Sequence, residues 1–415
     1  MVYSDSTTFG SLWETLEPIG RDAGTGGYVR LAYDDAELTC REWFTDAATR
    51  IGLDVERDRN GNLWAWWVGP WGGPDDADAL VLGSHLDSVR HGGAYDGPLG
   101  VVSSLAVIES ARARGFEPNR PVAVAAFADE EGARFGVACA GSSLMTGSLD
   151  PDRARGLSDV AGITLAEAMQ RCGYRPEDLG SDPERLARIG TFVELHIEQG
   201  KQLAYDGEST ALATSIWPHG RYRFTFSGEP NHAGTTRMSE RRDPLHAFAR
   251  TVVSIGEDTA AEDRATFGRV EVAPNSTNVI PAEVRAWLDA RAEDEPSLER
   301  LVEQVRARSR QHARDTATRV EVHPESVSPE VVFDAELSGR LSRVAATTSA
   351  AAPMPAIPTC AGHDAGVLSR AGVPTAMLFV RNPTGISHSP EEHAEWDDCV
   401  DGARTLGRIF ESLAG

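Results

Sequence analysis

The chain has no long apolar run. Its 415 residues contain no stretch of about 18 apolar positions, so no membrane-spanning helix is expected. Cysteine is scarce and without pattern. Cys40, Cys139, Cys172, Cys360 and Cys399 are odd in number, scattered, and show no C-x-x-C spacing. This fits free thiols in a reducing cytoplasm and argues against a thiolate metal site. The first residues, Met1-Val-Tyr-Ser-Asp-Ser, lack both a basic and an apolar segment, so no secretory signal is read there and a cytoplasmic location is expected. Positive charge is short as well: Lys and Arg number 40 against 63 Asp and Glu, a formal net charge of −23. Such a surface repels nucleic acid and anionic lipid, so neither is an expected partner. An anionic substrate would need a local basic group against that field. Internal repeats, low-complexity tracts and the compact H-E-x-x-H metal motif are all missing.

What is present points to two domains, the default at this length. Residues 34–51 carry apolar positions at helical spacing. Ala79-Leu-Val-Leu-Gly83 suits a buried strand, 98–114 a helix with Leu99, Val102, Leu105, Ala106 and Ile108 inward, and 121–128 another strand. That strand–helix–strand order implies an α/β domain whose sheet is covered by helices. From about 208 the texture changes. Arg221-Tyr-Arg-Phe-Thr-Phe-Ser227 and 284–291 alternate polar and apolar, Asp243-Pro244 opens a helix, 296–314 is a charged amphipathic helix, and 319–323 is again a strand. Apolar α/β texture returns with Thr375-Ala-Met-Leu-Phe-Val380. The expectation is a discontinuous domain of residues 1–207 and 324–415, with a central mixed sheet, and an inserted α+β domain at 208–323.

The chemistry gathers at strand ends. Asp129-Glu130-Glu131 close the apolar strand 121–128, and three acids so placed repel one another unless something positive holds them. Neighbours on a strand point opposite ways, so Glu130 and Glu131 can address one atom only if the chain turns. Strand 79–83 runs into His85 and Asp87, two apart and so on one side of an extended chain; Asp87 either fixes the tautomer of a histidine ligand or simply caps the turn. Asp96 lies between glycines, just before the helix at 98. Glu194, His196 and Glu198 would share one face of a further strand, and His388 follows the last apolar strand. Mixed histidine and carboxylate ligands suit Zn²⁺ or a similar divalent ion, and five of them suggest two ions sharing a carboxylate.

Seven segments then carry a resemblance. They are Gly83-Ser-His-Leu-Asp-Ser-Val-Arg-His-Gly-Gly-Ala-Tyr-Asp-Gly97, Ala128-Asp-Glu-Glu-Gly-Ala-Arg-Phe135, Glu194-Leu-His-Ile-Glu-Gln-Gly200, Asn231-His-Ala-Gly-Thr-Thr236, Asn275-Ser-Thr-Asn-Val-Ile-Pro281, Ala361-Gly-His-Asp-Ala365 and Ser387-His-Ser-Pro390. In this order, from about residue 10 to the C-terminus, the chain resembles the amidase branch of the M20 metallopeptidase family. That branch contains N-carbamoyl-L-amino-acid hydrolases, β-ureidopropionases and allantoate amidohydrolases. The resemblance implies that His85 and His196 bind one metal, Glu131 and His388 a second, and that Asp96 bridges them. It implies Glu130 as general base and His232 as a group polarising the scissile carbonyl. Asn278 and Arg291 would grip the substrate carboxylate, Gln199 would lie beside the metals, and Gly362 with His363 and Asp364 would shape the carboxylate pocket. Asp87 stands behind His85.

The implied reaction is cleavage of the carbamoyl C–N bond of a ureido acid, with allantoate and N-carbamoyl-L-amino acids as leading substrates. Two divalent ions are implied, Zn²⁺ foremost, with Mn²⁺, Co²⁺ or Ni²⁺ as alternatives. The inserted domain would act as lid and dimerisation domain of a homodimer, with strand 221–227 pairing edge to edge. An N-acyl-amino-acid deacylase or dipeptidase of the same family is the alternative; a catalytically inactive binding protein on this scaffold is the alternative of another class. Read singly, Asn278 is a turn residue before Pro281, Arg291 half of a surface ion pair, and His232 a loop residue. His91, His219, His246, His312, His323 and His393 read as surface or structural. Arg237 stands where many relatives have proline, and Pro218-His219-Gly220 is also an uncommon version; both bear on substrate choice.

Overall fold

A computed structural model describes residues 5–260, 262–345 and 353–415. The chain divides into two compact units. One takes the chain up to Ser215 and again from Val332; the other is Ile216–Val331. Both bounds lie further along than 208 and 323. The strand Thr210–Ile216 pairs antiparallel with Thr375–Val380 in the large sheet, and the strand begun at Arg319 continues to Ser328.

The large sheet of the first unit runs in the order Asp54–Arg57, Leu63–Trp67, Val122–Phe127, Ala79–His85, Ile189–Ile197, Thr375–Val380, Thr210–Ile216. Its four middle strands are parallel, and the flanking pairs are antiparallel. The mixed sheet expected from the sequence is therefore present. Central parallel strands are covered on both faces, which is why these segments read as continuous apolar runs instead of alternating ones. On one face Leu80, Leu82, Val122, Val124, Val193, Leu195, Leu378 and Val380 join a core that includes Leu99 and Leu105 of the helix Pro98–Ala113 and Leu406 and Phe410 of the helix Trp396–Ala414. On the other, the rings of Trp64, Phe127 and Phe192 meet edge to face at 5.9 and 5.6 Å. The helix Pro98–Ala113 is buried on all sides from Pro98 to Ile108, not along one stripe. Among the described residues no helix is long and apolar enough to cross a membrane.

The second unit has a four-stranded antiparallel sheet in the order Arg319–Ser328, His219–Ser227, Glu283–Arg291, Arg264–Ala273. Alternation sends Tyr222, Phe224, Phe226, Val284, Ala286 and Leu288 to one face. There they pack with Phe248 and Ile255 of the helix Pro244–Asp258 and with Leu298, Leu301, Val302 and Val305 of the helix Glu295–Asp315. Asp243 caps the first helix by accepting from the N–H of Leu245 and His246. One expectation is corrected here. The strand containing 221–227 is interior, paired on both sides along its length, so it has no free edge to offer another chain. The edges are Arg264–Ala273 and Arg319–Ser328.

Gly83 shows how tightly the central strands approach. A Cβ there would lie 2.2 Å from the carbonyl oxygen of Ala125 on the neighbouring strand. Gly83→Ala is expected to cost about 1–3 kcal/mol through overpacking. Urea unfolding measures it, and a midpoint equal to that of the parent would show that the strands part without penalty.

Candidate metal centre and active site

Every strand-borne candidate of the first unit lies at the C-terminal end of a parallel strand, where open α/β sheets place their ligands. His85 closes Ala79–His85, and His196 is the penultimate residue of Ile189–Ile197. Asp129, Glu130 and Glu131 follow Val122–Phe127, and His388 follows Thr375–Val380 after a loop. Asp96 precedes the helix Pro98–Ala113. The chain turns where the acids require it. Asp129 has a φ of 53°, the left-handed region that aspartate tolerates better than most side chains. Asp87 locks that turn: its two carboxylate oxygens accept the N–H of Glu130 and of Glu131, each at 3.1 Å.

The ring nitrogens are oriented from behind. His85 Nδ1 lies 3.1 Å from the main-chain oxygen of Asp87, and His196 Nδ1 lies 2.8 Å from that of Ile197. Each Nδ1–H donates to a carbonyl, which turns Nε2 toward the centre. Both Nε2 atoms are buried without a directed hydrogen-bond partner. They lie 3.3 and 3.1 Å from Asp96 Oδ1. On the other side of the same carboxylate, His388 Nε2 is 3.4 Å from Asp96 Oδ2 and 3.3 Å from Glu131 Oε2. Two ligand atoms held 2.0–2.1 Å from one tetrahedral ion stand about 3.3 Å apart. The two groups His85–Asp96–His196 and Asp96–Glu131–His388 therefore have the spacing of two ligand sets sharing Asp96. The donor set, imidazole nitrogen and carboxylate oxygen, suits a borderline divalent ion.

Charge makes the same point. Burial pushes the Glu131 carboxyl up to about 7 and those of Glu130 and Asp129 well above the usual range. Asp96 is buried as well, yet the imidazoles of His196, His388 and His85 hold it well below that range. The contact with Asp96 raises His388 to about 9. The acids of this cluster outnumber its imidazoles.

The second unit holds the remaining candidates. His232 Nδ1 accepts the N–H of Gly234 at 3.0 Å and of Thr235 at 3.2 Å, so the ring proton sits on Nε2, free to be donated. Asn278 lies across from this segment, its carbonyl accepting the N–H of Ala233, and both side chains are exposed. Arg291 forks onto Asp289, with Nε–Oδ1 at 2.7 Å and Nη2–Oδ2 at 3.1 Å. His232 and Asn278 stand beyond the Glu283 end of the strand Glu283–Arg291 and Arg291 at its other end, about 27 Å away at the usual strand rise. Within one chain they do not meet. Arg237 is exposed, and among the described residues no acid pairs with it.

Residues 81–412 match the model of Peptidase family M20/M25/M40. The chain belongs to this family. An N-carbamoyl-L-amino acid amidohydrolase of Geobacillus stearothermophilus is 34% identical over 97% of this chain and 98% of that protein. An allantoate amidohydrolase of Escherichia coli (strain K12) is 32% identical over 96% of each. Among solved structures, a hydantoinase/carbamoylase family amidase from Burkholderia vietnamiensis aligns with a TM-score of 0.88 at 31% identity, covering 100% and 99% of the two chains. The chain is an amidohydrolase of the M20 family with candidate metal-binding groups.

One residue of this M20 chain departs from expectation, and the others find their partners. Glu198 does not share the face of Glu194 and His196. The strand ends at Ile197, and the Glu198 carboxylate accepts the N–H of Gln202 at 2.5 Å and of Leu203 at 3.0 Å, capping the next helix. Glu194 is a strut, taking the hydroxyl of Ser84 at 2.7 Å and the N–H of Ala365 at 3.1 Å. Gln199 Nε2 donates to Asp96 Oδ2 at 2.6 Å. Gly362 is exposed beside buried His363, whose ring meets that of His196 edge to face at 4.5 Å. Burial drives His363 well below the ordinary imidazole value, so it is neutral. Asp364 accepts from the Ser142 hydroxyl. Two neighbours were not singled out from sequence. Cys139 donates its S–H to Glu130 Oε1 at 3.4 Å, and Glu392 accepts the N–H of Tyr95 and Asp96. A lone cysteine and one of several exposed-looking glutamates give no local signal.

Chelator-treated protein should melt at a lower temperature than protein with Zn²⁺ added. At about 100 times its Kd the ion adds about 2.7 kcal/mol. Identical calorimetric traces with and without Zn²⁺ would mean that these side chains hold no ion.

Proposed function

We propose that this amidohydrolase cleaves the carbamoyl C–N bond of a ureido acid, an N-carbamoyl-L-amino acid or allantoate, at two divalent metal ions. The observation that carries this reading is Asp96. One carboxylate is reached through Oδ1 by His85 and His196 and through Oδ2 by His388, with Glu131 beside it. The names of the relatives supply the substrate class. His85, Asp96 and His196 would hold one ion, and Asp96, Glu131 and His388 the other, with Zn²⁺ first by donor chemistry and Mn²⁺, Co²⁺ or Ni²⁺ compatible. Such a pair supplies Lewis acidity to a water and to the substrate carbonyl.

The protein's own groups do the proton work. Glu130 Oε2 lies 3.7 Å from His85 Nε2, within the ligand cluster. Its burial raises its proton affinity, which suits a base that takes a proton from water and returns it to the leaving nitrogen. Ammonia leaves, and the carbamate that remains loses CO₂ to give the free amine. His232 Nε2–H is a donor for the carbonyl oxygen as charge develops there. Arg291 is the local cation for the substrate carboxylate that the −23 chain calls for, with Asn278, the Gly362 loop and Arg237 as further contacts. Arg291 and the His232–Asn278 pair are far apart in one chain. That separation supports a homodimer in which a site draws on both copies.

Ammonia release from allantoate, N-carbamoyl-L-amino acids and N-carbamoyl-β-alanine, with acetate release from N-acetyl amino acids measured beside it, tests the substrate class. Release from the ureido acids is expected, and turnover confined to the N-acetyl compounds would replace this reading with a deacylase. Glu130→Gln should keep its metal and lose about 10²–10⁴-fold in kcat. Near-parental turnover would remove Glu130 as the base. Arg291→Ala should raise KM for carboxylate-bearing substrates roughly 10–100-fold, the worth of a charged hydrogen-bond pair; an unchanged KM would move the anchor elsewhere.

A further inference from the structure

Glu392 is buried, at 5% exposure, four residues beyond His388. Its Oε1 accepts two main-chain N–H groups of the preceding loop, from Tyr95 at 3.0 Å and from Asp96 at 3.1 Å. Its Oε2 lies 3.5 Å from the hydroxyl of Ser387, next to His388. The backbone at Gly93 lies flush against this side chain: a Cβ there would come within 2.2–2.4 Å of Glu392. One carboxylate thus touches both loops from which the second ligand group is built.

That group needs such a device. His85 and His196 are carried by strands in the middle of the sheet. His388 is on a loop, in a left-handed conformation with φ of 56°, and its side chain is 50% exposed. The aromatic stack of Trp13 on Tyr95, with centroids 5.0 Å apart, packs on the Asp96 loop from outside, and the Tyr95 ring meets that of His393 edge to face at 6.4 Å, but neither contact is made to Ser387 or His388.

We infer that Glu392 is a positioning residue that sets the spacing between Asp96 and His388, and so governs occupancy of the Asp96–Glu131–His388 site. It acts through backbone N–H groups and not as a ligand. The inference rests on the two-ion reading above.

The experiment is titration of metal-free protein with Co²⁺, followed by calorimetry and by the visible spectrum of the bound ion, for the parent, Glu392→Ala and Glu392→Gln. The parent should take two equivalents. Glu392→Ala should keep the first and bind the second about 10–100-fold more weakly, the usual cost of losing a group behind a ligand. Glu392→Gln, whose amide oxygen still accepts both N–H groups, should restore the second equivalent to within a few-fold. A folded Glu392→Ala protein with two equivalents at parental affinity overturns the inference, and so does a Gln variant as weak as the Ala variant. If Glu392→Ala does not fold, Gly93→Ala displaces the carboxylate without removing it and is read in the same way. A parent that takes one equivalent only would instead refute the two-ion reading.

Discussion

Three imidazoles and one amide converge on the carboxylate of Asp96, and most of the surrounding structure serves that meeting. A buried carboxylate is unstable unless positive groups face it, and buried imidazole nitrogens are unstable unless something uses them. Each imidazole of the sheet is therefore backed by a main-chain carbonyl, and the acid turn is clamped by Asp87. The arrangement turns three Nε2 atoms toward the two oxygens of Asp96.

The sheet provides the precision. Parallel strands buried on both faces hold His85 and His196 where neither can drift, while Asp129–Glu131, Asp96 and His388 come from loops that the strands deliver to the same edge. The loop-borne candidates are bonded by two further carboxylates: Asp87 accepts two N–H groups of the acid turn, and Glu392 accepts those of Tyr95 and Asp96. Polar groups that hold a backbone in place are as much part of such a site as the atoms that face its centre.

Much of this was legible before any coordinates. The apolar runs at 79–83, 121–128 and 375–380 became buried strands because parallel pairing requires side chains to be dry on both faces. The alternating runs at 221–227 and 284–291 became one-face-wet strands of a separate sheet for the converse reason. Asp243-Pro244 capped its helix as local chemistry dictates. The expectation failed where pairing partners matter. Whether 221–227 is an edge or an interior strand depends on what lies beside it, and Arg319–Ser328 covers the side that the alternation alone left open. Glu198 failed for a similar reason: a period of two holds only while the strand lasts, and Ile197 is its end.

The sequence by itself determined the kinds of chemistry available. A histidine and carboxylate donor set, adjacent acids with different aims, and an acidic chain needing a local arginine are all properties of residue type and order. Tertiary structure alone decided which of those groups meet. It divided the oxygens of Asp96 between His85 with His196 on one side and His388 on the other, made Asp87, which also lies beside His85, a clamp on Glu130 and Glu131, and brought Glu392 from far along the chain to the N–H of Asp96. It also set Arg291 at one end of a nine-residue strand and His232 with Asn278 beyond the other. The reason is geometric: spacing along a chain constrains directions over a few residues, whereas a ligand site is defined by distances of about 3 Å between groups that only folding brings together.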